Sequence, residues 1–203
     1  IQQMALTADV IIENYKAGSL AKYGLDYASL TKLNPQLVYC SITGFGQDGP
    51  RAEEPGYDFI IQGMSGLMSI TGESDELPGG GAQKVGVAVV DIQTGLYSTV
   101  AIQAALLARQ HTGRGQYIDM SLLDVQVATL ANQGMNYLTS GVAPKRMGNH
   151  HPNIVPYQTF KAKDKEFIIA CGNDKQFKDL CMAIGLPALV EDPKFQRNQD
   201  RVQ

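Results

Sequence analysis

Residues 85–95 read VGVAVVDIQTG, and the fold turns on how this stretch is understood. An apolar run over residues 85–90 meets a lone carboxylate, Asp91, where a long helical pattern begins. Ile92, Leu96, Val100 and Leu107 share one stripe, with Ala101, Ala104, Ala105 and Ala108 on a close-packed side, as a buried helix requires. An Asp ahead of the first periodic residue commonly acts as an N-cap, accepting hydrogen bonds from free backbone amides. Those amides and the helix dipole would also keep the carboxylate ionised and available as a nucleophile. Spacing alone leaves both readings open.

Outward from this stretch, the pattern alternates strands and helices. Val10, Ile11 and Ile12 form a short apolar run that ends in Glu13 and Asn14, the pattern of a parallel strand running into a loop. In open α/β sheets such strand-end loops are the usual place for ligands. A short helix through Lys22 and another over residues 27–33 are expected next, followed by a strand at residues 37–42. The Gly-rich turn TGFGQDGP follows (residues 43–50), then a helix over 58–69 and a polar loop over 74–83. Beyond the central helix come the turn TGRG, a strand over 116–120 and a helix from Ser121 to about Tyr137. The later sequence reads as a hairpin, residues 157–161 and 166–171, followed by a helix capped by Asn173. The expectation is an α/β fold: a Rossmann-like open parallel sheet over residues 1–140, a linker or lid loop over 141–155, and the start of a smaller α+β domain over 156–203.

The chain has 203 residues, 44% hydrophobic and 18% charged, enough for a real core. A net charge of −3 gives no reason to expect nucleic acid or an anionic membrane as a partner. No apolar run is long enough to span a bilayer, and no signal peptide is visible. Cys40, Cys171 and Cys181 are odd in number and sit in apolar context, which reads as reduced core thiols of a cytosolic protein. The chain opens inside an amphipathic pattern, IQQMALTADV, and stops in a polar stretch, DRVQ, so a segment of a longer protein is expected.

Candidate chemistry gathers at loops. Asn14, Tyr15, Lys16 and Lys22 combine an amide, an aromatic face and two cations, which suits a nucleotide, although a basic loop is also commonly just solvated. No GxGxxG fingerprint or P-loop is present. The glycines of TGFGQDGP can expose amides to an anion or oxyanion, or simply make a tight turn. Tyr57 and Asp58 can stand near Asp91, or Asp58 can cap its own helix. Asp124 also lies at a helix start and reads as structural. Adjacent His150 and His151 lack chelating spacing, so no metal is expected; they line a lid or form a surface turn.

The stretches ADVIIENYKAG, NPQLVYCSITGFGQDGP, PGYDFIIQGMSGLMSITG, VGVAVVDIQTGLY, HTGRGQYIDMSLLD and GNHHPNIVPYQTF resemble, in order, the class III CoA-transferase family. That family includes formyl-CoA and carnitine CoA-transferases and α-methylacyl-CoA racemases; within it the chain looks closest to the dicarboxylate group, the succinyl-CoA:glutarate CoA-transferases. The resemblance implies two protomers interlocked like chain links, each with a Rossmann-like large domain and a small domain. It implies that Asp91 is the catalytic aspartate and that Asn14 and Tyr15 contact CoA. Lys22 falls where members often carry an Arg near the nucleotide phosphates, with Lys16 its neighbour. Gly148, Asn149 and His150 fall where some transferases have a glycine-rich loop closing over the site; here the run is GNHHP.

The implied activity is CoA transfer from an acyl-CoA to a carboxylic acid through an aspartyl anhydride and an aspartyl-CoA thioester, with no permanently bound cofactor. Substrates, not macromolecules, are the expected partners besides a second copy, and the expected location is the cytoplasm, or the mitochondrial matrix in a eukaryote. An α-methylacyl-CoA racemase is the alternative; resembling racemases carry His where Tyr57 stands, and a phenol is a poorer proton shuttle at neutral pH. A non-catalytic acyl-CoA-binding segment is the third reading.

Overall fold

The computed structural model describes residues 1–203. In chain order the elements are α1 (Gln2–Ala5), β1 (Val10–Glu13), a 3₁₀ turn (Ala21–Tyr23), α2 (Tyr27–Leu33), β2 (Val38–Thr43), α3 (Asp58–Met64) and α4 (Leu67–Ile70). Then follow α5 (Val89–Thr112), β3 (Tyr117–Ser121), α6 (Leu122–Ala128), α7 (Ala131–Ser140), β4 (Tyr157–Lys161) and β5 (Glu166–Ala170). The chain ends with α8 (Asp174–Ala183), a 3₁₀ turn (Pro187–Val190) and α9 (Asn198–Arg201). No helix is long and apolar enough to cross a membrane.

Two compact units emerge, one of residues 1–69 and 83–144, the other of residues 70–82 and 145–203. The sequence places residues 70–82 with the first domain, whereas they pack with the second unit.

In the first unit β1, β2 and β3 form a parallel sheet in that order, with Val10 opposite Val38 and Ser41 opposite Asp119. The fold is mixed α/β, as expected. The middle strand is the most enclosed: Val38, Tyr39, Cys40 and Ser41 are all buried. Its apolar residues explain this, since a central parallel strand is covered on both faces. One core cluster joins Ala5, Leu30, Leu37 and Tyr39, with Tyr27 packed against it. The other joins Ile61, Val90 and Leu122.

The long helix differs from expectation in the face it buries. α5 packs on β2, β3, α3 and α6 through Val90, Thr94, Ser98 and Ala105. Ile92, Leu96, Val100 and Leu107, the expected core stripe, are exposed at 55–66%. The two stripes are offset by two residues, which places them on opposite sides of a 3.6-residue helix. Small side chains won the buried side because they let the helix lie close to the sheet.

Two expected helices are each divided. Gly66 adopts φ +93° between α3 and α4, and Ala131 adopts φ 51° where α7 starts. Ser121 caps α6 by accepting a hydrogen bond from the Asp124 amide at 3.2 Å, so Asp124 is not itself the cap.

In the second unit β4 and β5 pair antiparallel, Tyr157 opposite Ala170. Asn173 caps α8 by accepting from Gln176 N at 2.9 Å, and Gln176 Oε1 returns the bond by accepting from Gly172 N at 2.7 Å. Arg201, in a tail that reads only as polar, has a side chain just 1% exposed. It donates to the carbonyls of Val155 and Phe195 and to Asp174 Oδ1, and lies over the Phe177 ring.

At the carboxyl end of β2, Gly44 meets Gly56 backbone to backbone. A Cβ added at either would fall well inside contact distance of the other's Cα. Gly44→Ala is therefore expected to cost about 1–3 kcal/mol through forced backbone displacement. A shift of that size in the chemical denaturation midpoint, with unchanged slope, is the check.

Candidate active site

All three parallel strands end at the same edge, and an open cleft of about 790 Å³ lies there. Its walls are Ile12 to Ala17 at the end of β1, Ile42 to Gly44 at the end of β2, residues 52–58, the first turns of α5 at Asp91, Thr94 and Gly95, and Leu122. This is where open parallel sheets hold ligands, because the loops that follow the strands diverge there.

Asn14, Tyr15, Lys16, Tyr57 and Asp91, all singled out in the sequence, line this one cleft. Lys22 is not among the lining residues; its ammonium lies 4.9 Å from the centre of its neighbour's ring, Tyr23. Gly148, Asn149 and His150 belong to the second unit, where Gly148 N donates to Gly72 O at 3.0 Å and His150 N to Met147 O at 3.0 Å. The adjoining His151 is held by Asn153 N, which donates to its Nδ1 at 3.0 Å.

Asp91 is not the N-cap of α5. Helical geometry begins at Val89, the flanking Ala88 offers no side-chain cap, and Asp91 is the third residue of the helix. The cap comes instead from Asp58, on the neighbouring α3. Its Oδ2 accepts from Val90 N at 2.8 Å and from Asp91 N at 3.3 Å. Its Oδ1 accepts from Gln62 Nε2 at 2.6 Å, and Gln62 Oε1 accepts from Val85 N at 2.8 Å. Asp58 thus serves a helix 32 residues further on. Among the two readings open for it, nearness to Asp91 is the one realised.

This changes the electrostatics expected of Asp91. With the first-turn amides engaged by Asp58, burial raises the Asp91 carboxyl above its ordinary value, and the Asp58 charge pushes the same way. A carboxylate with a raised pKa is the stronger nucleophile once ionised. Tyr57 stands beside this pair at the start of α3, 68% exposed on the cleft wall.

Glu13 is a cleft residue that sequence reading passed over as a strand end. Its Oε2 accepts from Tyr15 N at 2.8 Å, and its Oε1 accepts from the Ser41 hydroxyl. Ser41 Oγ accepts in turn from Gln47 Nε2 at 3.0 Å, and Gln47 N donates to Asp119 Oδ2 at 2.9 Å. Burial raises the Glu13 pKa, partly offset by the Tyr15 amide. The signal in the sequence was a lone charge closing an apolar run. In all, the lining holds five carboxylates (Glu13, Glu53, Glu54, Asp58 and Asp91) against the ammonium of Lys16, with Glu54 paired to Arg51 at 2.9 Å, so its charge disfavours polyphosphate.

The model for CoA-transferase family III matches residues 1–203. The chain belongs to that family. It is 57% identical over 202 residues to a succinate–glutarate CoA-transferase of Agrobacterium fabrum, covering 100% of this chain and 50% of that protein. It is 44% identical to an acetyl-CoA:oxalate CoA-transferase of Acetobacter aceti, over 98% of this chain and 51% of the relative. The crystal structure of a CAIB/BAIF family protein from Brucella suis superposes with a TM-score of 0.80 at 58% identity, covering 99% of this chain and 52% of that one. The chain spans about half the length of the curated relatives it matches.

The raised Asp91 pKa fixes the sign of a stability effect. The native state holds the Asp91 proton more tightly than the unfolded chain, so ionising Asp91 costs native stability. That cost is absent well below 3.8, the ordinary aspartate value, and grows as pH rises through the folded value. Asp91→Asn is expected to raise the denaturation midpoint at neutral pH and leave it unchanged in strong acid, read by parallel urea titrations.

Proposed function

We propose that the protein is a CoA-transferase, moving CoA from an acyl-CoA donor to a carboxylic acid acceptor, with Asp91 as the nucleophile. The observation that carries this reading is the carboxylate itself: it stands on the wall of the strand-end cleft, in a helix turn whose amides are tied down by Asp58, with its pKa raised. Membership of the family and the names of the relatives support the reaction class.

The chemistry follows from what the chain provides. An Asp91 oxygen attacks the thioester carbonyl, the carbon–sulfur bond breaks, and CoA leaves as thiolate, giving a mixed anhydride. The thiolate then attacks the Asp91 carbonyl carbon, and the first acid departs as carboxylate. The aspartyl-CoA thioester that remains is attacked by an acceptor carboxylate, releasing thiolate again and forming a second anhydride. Thiolate attack on the acceptor's acyl carbon yields the new acyl-CoA and restores the Asp91 carboxylate. No proton is gained or lost, so the site needs no His–Asp pair. It needs water kept from the anhydride and donors near the developing oxyanion.

In this reading the thioester end of CoA enters the acidic cleft, where a neutral chain is better tolerated than phosphate. Asn14, Tyr15 and Lys16 meet the remainder of the substrate at the rim, with Lys22 on the same loop toward the phosphates. Tyr57 flanks the reacting acyl group. Gly148, Asn149 and His150 are assigned to substrate contact on the resemblance alone. We also expect two copies to interlock; the exposed apolar stripe of α5 is a surface that a second copy would cover.

The test uses the full-length protein, succinyl-CoA and a panel of carboxylic acids, read by mass spectrometry of the CoA products. Transfer is expected to depend on the acceptor, to disappear in Asp91→Ala, and to leave hydroxylamine-sensitive label at residue 91 during turnover. Acceptor-independent exchange of an α-proton would point to a racemase instead, and binding without turnover would point to a carrier.

A further inference from the structure

Thr94 follows Asp91 by three residues, so the two side chains share one side of α5, and both line the cleft. Thr94 is only 2% exposed, and its hydroxyl is buried with no partner in the protein. A helical threonine ordinarily avoids this by bonding back to the preceding turn. Thr99 does so to Gly95 O at 2.8 Å, and Thr139 does so to Met135 O at 2.9 Å. Thr94 does not. Valine would fill the same space without an unsatisfied hydroxyl, so packing alone does not explain threonine here.

Gly95, one residue on, is the second anomaly. Glycine in the middle of a helix is unfavourable, and it is usually tolerated where another backbone must come close. At Gly95 an added Cβ would meet nothing within 4 Å. Its φ is not in the left-handed region either. What its missing side chain leaves clear is cleft, directly one turn beyond Asp91. Leu122 and Ile42 complete an apolar border around the same space.

We infer that Thr94 and Gly95 form the acyl-binding floor of the cleft: the glycine leaves room for the acyl chain, and the threonine hydroxyl donates to its carbonyl oxygen. Thr94 lines the cleft and its hydroxyl has no protein partner to give up, so the hydroxyl is free to donate to that oxygen. The bond strengthens as negative charge develops on the oxygen, so its effect falls on kcat more than on KM. The ligand class is a short acyl group carried as a thioester, and the inference rests on the proposal that Asp91 is the nucleophile.

Three variants of the full-length protein test it, each assayed with acetyl-CoA and succinyl-CoA as donors. Thr94→Val is expected to unfold at a higher temperature than the parent yet lose about tenfold or more in kcat, with KM for the acyl-CoA held within about twofold. Gly95→Ala is expected to unfold at a higher temperature as well, while the ratio of kcat/KM for succinyl-CoA over acetyl-CoA falls about tenfold or more. Unchanged kcat in Thr94→Val, an unchanged donor ratio in Gly95→Ala, or activity lost in step with thermal stability would each overturn the inference. Asp91→Ala separates the two levels. If it retains turnover the nucleophile proposal falls, and the acyl floor falls with it. If it is inactive and Gly95→Ala still shows no donor dependence, only the acyl floor falls.

Discussion

The carboxylate of Asp58 is the fixed point of the first unit. By accepting from the amides of Val90 and Asp91 it supplies the cap that the local sequence of α5 lacks, since the Ala88 methyl cannot accept a hydrogen bond. A cap of this kind contributes on the order of 1 kcal/mol to helix stability. Here it also decides where the turn carrying Asp91 sits. Gln62, fully buried, extends the hold by bridging Asp58 to the backbone at Val85, so the chain entering α5 is tied at both ends of the approach. The same bond places two carboxylates close together, and the resulting repulsion adds to burial in raising the Asp91 pKa. One interaction therefore sets a helix start, a position and the direction of a pKa shift.

Backbone proximity does the rest of the positioning. Gly44 and Gly56 touch without side chains between them, which brings the segment carrying Tyr57 and Asp58 against the end of β2. Gly44 O accepts from Leu123 N at 3.1 Å, so the start of α6 is gathered at the same corner. The small buried face of α5, Thr94 and Ser98 among it, lets that helix settle close on the sheet. One wall of the cleft is thus backbone and short side chains, while Ile12, Ile42 and Leu122 supply apolar surface beside it.

The acidic lining constrains what can bind in the cleft. Five carboxylates against one ammonium give the lining a negative field that disfavours phosphate, and the proposed placement of the CoA phosphates outside it respects that field. An unpaired hydroxyl at Thr94 and a glycine inside α5 at Gly95 are departures from local rules, and both lie on the cleft wall.

Much of the fold was legible in the sequence because it is written in local periodicity. The helix at Tyr27–Leu33 and both hairpin strands lie where the pattern put them, and the parallel strands lie within a residue or so. Asn14, Tyr15, Lys16, Tyr57 and Asp91 could be singled out as unusual residue types at strand and helix ends, and the fold gathers them on one cleft. The sequence could not say which stripe of α5 faces inward, because two stripes of opposite orientation both carry apolar residues and only the closeness of the sheet selects the smaller one. Nor could it show that Asp58 caps α5, that Glu13 joins Ser41, or that Arg201 is buried against two carbonyls and the Asp174 carboxylate. Spacing along the chain fixes what each element is. Pairings between residues tens of positions apart depend on how those elements pack, and packing belongs to the tertiary structure alone.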